Sequence, residues 1–253
     1  MATEKKGMSL PLKLLIGIAV GIVCGLFLPE NVMTIVVTLK YVLNQLIMFC
    51  VPLIVIGFIA PSITKMGSNA TRMLLVAIIV AYVSTVLATL MSMVSGYILV
   101  PFLPIASSME GLKELPGVAF QLDIPQIMPV MSALVFSVLV GLAAVWTKAK
   151  TITAVLQEFQ NIVLSVVKKV VIPILPFFIA LTFCGLSYDG TITKQFPAFL
   201  LAIVIVMAGH YIWMAVLYGF AGMYSGRSAI EVVKYYGPAY LTAVGTMSSA
   251  ATL

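Results

Sequence analysis

Gly237-Pro-Ala-Tyr-Leu-Thr-Ala-Val-Gly-Thr-Met-Ser-Ser-Ala-Ala-Thr-Leu253 is the stretch on which the reading of this chain turns. It opens as an amphipathic helix and then sheds its large side chains. Gly245, Thr246, Ser248, Ser249, Ala250, Ala251 and Thr252 leave the backbone bare, with hydroxyls at intervals. Small residues let a ligand approach the main chain closely. Non-helical backbone at membrane depth is tolerated only where protein covers it or where it lines a cavity. Broken helices with exposed amides near the bilayer midplane are how many secondary transporters hold their substrates. The stretch predicts a re-entrant segment at a binding site, the plainer alternative being a short interfacial helix with a loose tail.

The rest of the chain supplies the membrane. Hydrophobic residues make up 62% of the 253 and charged residues only 9%, which is far from soluble usage. The apolar runs are long and continuous, so they predict helices rather than barrel strands. Just upstream of the tail, Ser228-Ala-Ile-Glu231 has the capping-box pattern that opens a helix. Six spans precede it, at about residues 11–28, 34–60, 73–99, 130–146, 170–186 and 199–218. The first follows Lys5, Lys6 and Lys13, but Phe27-Leu28-Pro29-Glu30 is no signal-peptide cleavage site. Gly17, Gly21 and Gly25 give it a smooth face for close helix contact.

The second span is long enough to require tilt and carries Lys40, Asn44, Gln45 and Pro52. Lys40 is expected to snorkel to the interface, and Asn44 and Gln45 to bond between helices. In the third span, Tyr82, Ser84, Thr85, Thr89, Ser92 and Ser95 are expected mainly to bond back to their own helix. Residues 101–129 read as a loop, with four prolines before Pro129 and the acids Glu110, Glu114 and Asp123. Lys168 and Lys169 should sit at the headgroups ahead of the fifth span. His210 in the sixth is either a proton relay or a packed, hydrogen-bonded histidine, and no span offers it an acidic partner. Cys24, Cys50 and Cys184 lack metal or redox spacing and read as small packing residues.

Two patterns orient the spans. With the N-terminus inside, the inner segments hold Lys5, Lys6, Lys13, Lys65, Arg72, Lys148, Lys150, Lys168, Lys169, Arg227 and Lys234. The outer side keeps Lys40, Lys113 and Lys194. This positive-inside asymmetry accounts for the net charge of +6 without invoking nucleic acid. It also makes the tail enter the membrane from the cytoplasm. Spans one to three and four to six then have opposite orientation, and their middle members share a proline motif, Phe49-Cys-Val-Pro52 against Val170-Val-Ile-Pro173. A shared motif of this kind is a trace that inverted repeats leave.

The run Met247-Ser248-Ser249-Ala250-Ala251-Thr252-Leu253 resembles the first re-entrant hairpin of the dicarboxylate/amino acid:cation symporters, the glutamate-transporter family, where a serine-rich run leads into Ala-Thr-Leu-Pro. Residues 133–141 resemble that family's fourth helix, without its usual Pro-Thr-Asn-Pro approach. The resemblance implies a homotrimer whose helices one, two, four and five form a static scaffold, with helices three and six in a moving domain. On that division the scaffold holds residues 1–72 and 130–195 and the moving domain 73–100 and 196–227. An extracellular loop spans 101–129, and the incomplete hairpin arm and tip occupy 228–253. It further implies that Met247, Ser248, Ser249 and Thr252 bind the substrate, a small carboxylate or amino acid. Ser84 and Thr85 would help hold the coupling ion, sodium or alternatively a proton, with no other cofactor.

The fold expected is thus an all-α polytopic protein of the cell membrane: six transmembrane helices plus the first arm of a re-entrant hairpin, an inverted-repeat transporter fold cut short inside that hairpin. A terminal carboxylate on Leu253 at membrane depth would cost about 2.5–3.5 kcal/mol. The chain is therefore read as the amino-terminal part of a symporter, expected to insert and associate but not to transport by itself. The alternative is a naturally short, non-transporting subunit that assembles through the scaffold helices. DNA sequence beyond the codon for Leu253 separates them: a continuing frame with proline and further spans supports the symporter. A membrane enzyme is disfavoured, since no paired acids, metal cluster or activated nucleophile stands out.

The topology is checked by single-cysteine labelling in a background lacking native cysteines. An impermeant maleimide should reach position 110 in intact cells and not position 68; the reverse pattern would overturn the orientation.

Overall fold

A computed structural model of the chain describes residues 9–99, 101 and 112–226, and beyond them 228, 231, 233, 234, 237, 238 and 240. The regular elements among the described residues are all helical. They are α1 (Leu10–Phe27), α2 (Glu30–Lys65), α3 (Ala70–Leu99), α4 (Val130–Trp146), α5 (Lys150–Val166), α6 (Ile172–Tyr188) and α7 (Thr191–Ser225). Five continuous helices are long and apolar enough to cross a membrane, and α4 is a shorter apolar helix of 17 residues. At 1.5 Å per residue the 36 residues of α2 span about 54 Å, well beyond a hydrocarbon core of about 30 Å. A helix of that length must tilt in a bilayer or extend beyond its hydrocarbon core.

The closest packing is between α1 and α6. A Cβ added to Gly17 would stand 2.8 Å from the Pro176 carbonyl oxygen, and at Gly21 and Gly25 it would collide with the carbonyl oxygens of Ala180 and Cys184. The three glycines are the buried residues of α1. Ser187 adds a hydrogen bond from its Oγ to the Ile22 carbonyl at 2.9 Å. Positions on both helices advance together in steps of four, so α1 and α6 run parallel. Close backbone approach through glycine is the favoured solution where no hydrophobic force drives helices together.

The second seam is between α2 and α4. Ala133, Ser137, Gly141 and Ala144 form the buried stripe of α4, and a Cβ at Gly141 would meet Ala60 O at 3.1 Å and Ile63 Cβ at 2.9 Å. Gly57 of α2 receives Val163 of α5 in the same way. Pro52 and Pro61 are both buried inside α2. Trp146 at the end of α4 donates through Nε1 to Thr71 Oγ1 at the start of α3, 2.9 Å away.

These contacts sort the helix ends. Lys65, Arg72, Lys148 and Lys150 collect at one end, where α2, α3, α4 and α5 meet, while Glu30, Glu114 and Asp189 lie toward the other. Continuing the α1–α6 register puts Lys13 opposite Ile172, within a turn of Lys168 and Lys169.

Two sequence expectations change here. The helix that carries the fifth span begins well before Lys169: one 39-residue helix runs from Lys150 to Tyr188. The paired lysines lie inside it, in a π-helical turn at Val167–Val171. Pro173 and Pro176 follow directly and have no N–H to donate to the carbonyls four residues back, which favours local widening of the helix. Residues 112–129 form an ordered strap. Lys113 N donates to Asp189 O at 2.9 Å, Ala119 N to Thr38 Oγ1 at 2.9 Å, and the Tyr41 hydroxyl to Asp123 Oδ1. Gln45 donates to the Tyr41 hydroxyl at 2.9 Å, a bond within its own helix rather than between helices.

Around this core, α3 and α7 bury little: Ala70 is the only buried residue of α3, and the apolar window of α7 has none.

Gly21→Leu should break the α1–α6 seam and lower stability by about 1–3 kcal/mol in detergent melts. Gly96→Leu should change little, since nothing lies within 4 Å of a Cβ there. Equal effects would contradict the parallel glycine seam.

Candidate functional site

The sequence points to three places: hydroxyls in the middle of α3, His210 on α7, and the small-residue tail. On α3, Thr85 donates to Ala81 O and Thr89 to Thr85 O, each at 2.8 Å, and Ser95 donates to Met91 O at 2.8 Å. Back-bonding of this kind is what the sequence predicts for them. Ser84 differs, because its Oγ accepts from Trp213 Nε1 of α7 at 3.1 Å. Ser84 and Thr85 are neighbours on a helix, so their side chains diverge by about 100° around the axis. The structure does not bring the two onto one face.

Ser84–Trp213 joins α3 to α7, and Gly209 lies against Met91, about two turns along α3 and one turn along α7. Rising numbers on one helix meet falling numbers on the other, so the two helices are antiparallel. His210 stands at an exposed position, its ring edge-on to Tyr211 with centroids 6.0 Å apart. The Tyr211 hydroxyl in turn shares a hydrogen bond with that of Tyr240 at 2.9 Å. Tyr240 belongs to the approach to the tail, where Glu231, Val233, Lys234, Gly237, Pro238 and Tyr240 are helical. The Glu231 amide bonds the main-chain carbonyl of Ser228 at 3.0 Å, a backbone turn rather than the side-chain bond of a capping box. Thus α7 touches both the α3 hydroxyls and the helix leading to the tail. Met247, Ser248, Ser249 and Thr252 lie outside the described residues.

The sodium:dicarboxylate symporter family matches residues 10–253. The chain belongs to that family. No match came from the comparison with curated proteins. Membership covers the bundle and the tail alike, and it makes the chain a multi-pass membrane protein of a family of cation-coupled transporters.

In this symporter-family chain, sequence reasoning missed two features that shape the site's surroundings. One is α5, whose Ile152, Val155, Leu156, Phe159 and Val163 repeat at helical spacing between polar residues. That periodicity was available in the sequence. The other is the strap, whose bonds are made by main-chain groups meeting Thr38 and Asp189. No local pattern marks it.

The α3–α7 link is testable by a double-mutant cycle. Trp213→Phe and Ser84→Ala should each destabilise the protein by about 1 kcal/mol, with a coupling of roughly 0.6 kcal/mol between them. Strict additivity would remove the bond from the argument.

Proposed function

We propose that this chain forms part of a secondary active symporter that carries a dicarboxylate or amino acid into the cell with sodium, a proton being the alternative coupling ion. The observation that carries the reading is the family match over residues 10–253, which includes both the bundle and the serine-bearing tail. Met247, Ser248, Ser249 and Thr252 are the proposed substrate contacts, because bare backbone amides and hydroxyls suit an anionic carboxylate. Ser84 and Thr85 are proposed to contribute to the cation site, with sodium taking hydroxyl and carbonyl oxygens.

The division of labour has physical support. The helices α1, α2, α4, α5 and α6 pack on one another through glycine and alanine seams, whereas α3 and α7 share few contacts with them. We assign the first group to a static scaffold and α3, α7 and the tail to the moving part. We further propose a homotrimer assembled through the scaffold, with the basic helix ends facing the cytoplasm, where lysine and arginine collect.

The test is uptake into proteoliposomes by the product of the whole reading frame. An inward sodium gradient should drive accumulation of at least one of aspartate, glutamate, serine and succinate; dependence on a proton gradient instead would reassign the ion. Ser249→Trp should abolish uptake while leaving assembly intact, because an indole would fill the space where substrate meets the backbone. Normal uptake with unchanged apparent affinity would remove the tail tip from the site.

A further inference from the structure

At the basic end of the bundle lies a hollow of about 460 Å³ that the transport reading leaves unused. It is bounded by Thr64 near the end of α2, by Ala144 and Val145 at the end of α4, and by Lys148, Lys150 and Gln157 from the turn into α5. Its two ammonium groups have no ion pair or hydrogen bond among the described residues. The neighbouring Lys65 is engaged differently, donating to Gln160 Oε1 at 3.0 Å. Glu158, on the same helix, is not part of the lining.

Lys148 occupies an unusual position. It is the left-handed residue, φ 51°, that terminates α4. Its amide bonds Val145 O at 3.2 Å and the Ala149 amide bonds Ala144 O at 3.1 Å. This closure normally uses glycine, because a Cβ crowds the backbone there. A long cationic side chain is instead held at the rim of the hollow. The first amides of α5 face the same turn without a side-chain cap, which adds favourable polarity but is not the basis of the argument.

We propose that this hollow binds the phosphate headgroup of an anionic membrane lipid. The phosphodiester lies between Lys148 and Lys150, and the glycerol and first methylenes rest on Ala144 and Val145. Basic pockets between membrane helices are suited to such headgroups, and this one is formed where the ends of α2 and α4 meet the start of α5. A bare phosphate ion would satisfy the same lysines but leave the apolar floor uncovered.

The test uses the 253-residue chain in neutral detergent, titrated with dioctanoyl-phosphatidylglycerol, dioctanoyl-phosphatidylcholine and inorganic phosphate. The anionic lipid should bind in preference to the zwitterionic one. Lys148→Gln and Lys150→Gln should each weaken it about fivefold and the double variant about 25-fold. Lys113→Gln, at the opposite end, should leave it unchanged. Lys148→Gly guards against misfolding: glycine accepts the left-handed conformation, so this variant should melt no lower than the parent while losing the same affinity. If inorganic phosphate binds as tightly as the lipid and depends on the same lysines, the phosphate site stands with a soluble ion as its ligand. Equal binding of the two lipids with no phosphate binding, or unchanged affinity in the double variant, would overturn the proposal.

Discussion

Parallel contact between α1 and α6, backbone against backbone, is the constraint from which the rest of the bundle follows. In lipid, apolar side chains gain nothing by leaving hydrocarbon, so helices associate through close van der Waals packing and polar contacts. Gly17, Gly21 and Gly25 provide that closeness by presenting no side chain to the carbonyls of Pro176, Ala180 and Cys184. Because the contact repeats every four residues on both helices, a shift by a single residue would push a side chain into a carbonyl. The register fixes which ends of α1 and α6 lie together. The α2–α4 seam and the Trp146–Thr71 bond separately bring Lys65, Arg72, Lys148 and Lys150 to one end.

Proline makes this arrangement possible in α6 and also disturbs it. Pro176 leaves the Ile172 carbonyl without its usual donor, while its own carbonyl faces Gly17. Pro173 acts in the same way on the Lys169 carbonyl, and the helix widens into a π turn immediately before it. The consequence is a long helix that changes character along its length: amphipathic through α5, widened at Lys168 and Lys169, then apolar and tightly packed through α6. The strap closes the opposite end. By donating to Asp189 O and Thr38 Oγ1 its amides are satisfied against α6 and α2, and the Asp123 carboxylate accepts from the Tyr41 hydroxyl.

Legibility in the sequence followed the kind of atom doing the work. The glycine face of α1 was readable because its spacing marks one side of a helix whatever the partner is. The partner was not, because α6 contributes carbonyl oxygens, which every residue possesses. The apolar spans were readable from composition, and the all-helical membrane fold with them. The helical lead-in to the fifth was missed because Gln157, Glu158, Gln160 and Asn161 dilute the hydrophobicity of α5, although its apolar stripe has helical spacing. The pairing of Pro52 with Pro173 is also less alike in structure than in sequence. Pro52 is buried within a continuous helix, whereas Pro173 follows a π turn. Of the site, the tail was legible only through its resemblance to a known hairpin, since bare backbone has no side-chain signature of its own. The back-bonded hydroxyls of α3 came from local chemistry, but the Trp213–Ser84 bond joins residues far apart in sequence and could not be read locally.

What distinguishes α3 and α7 from the other helices is how they are held. The core helices meet backbone to backbone at their glycines, whereas α3 meets α7 through one tryptophan–serine bond and a methionine lying on a glycine. Hydrogen bonds between membrane helices contribute only about 0.6 kcal/mol on average, so this link joins α3 to α7 without fixing either against the core. The Tyr211–Tyr240 bond extends the same loosely attached group toward the tail. The placement of glycines marks the same difference: on α1, α2 and α4 they are packed against neighbouring helices, whereas Gly96 of α3 and Gly219 of α7 meet nothing within 4 Å.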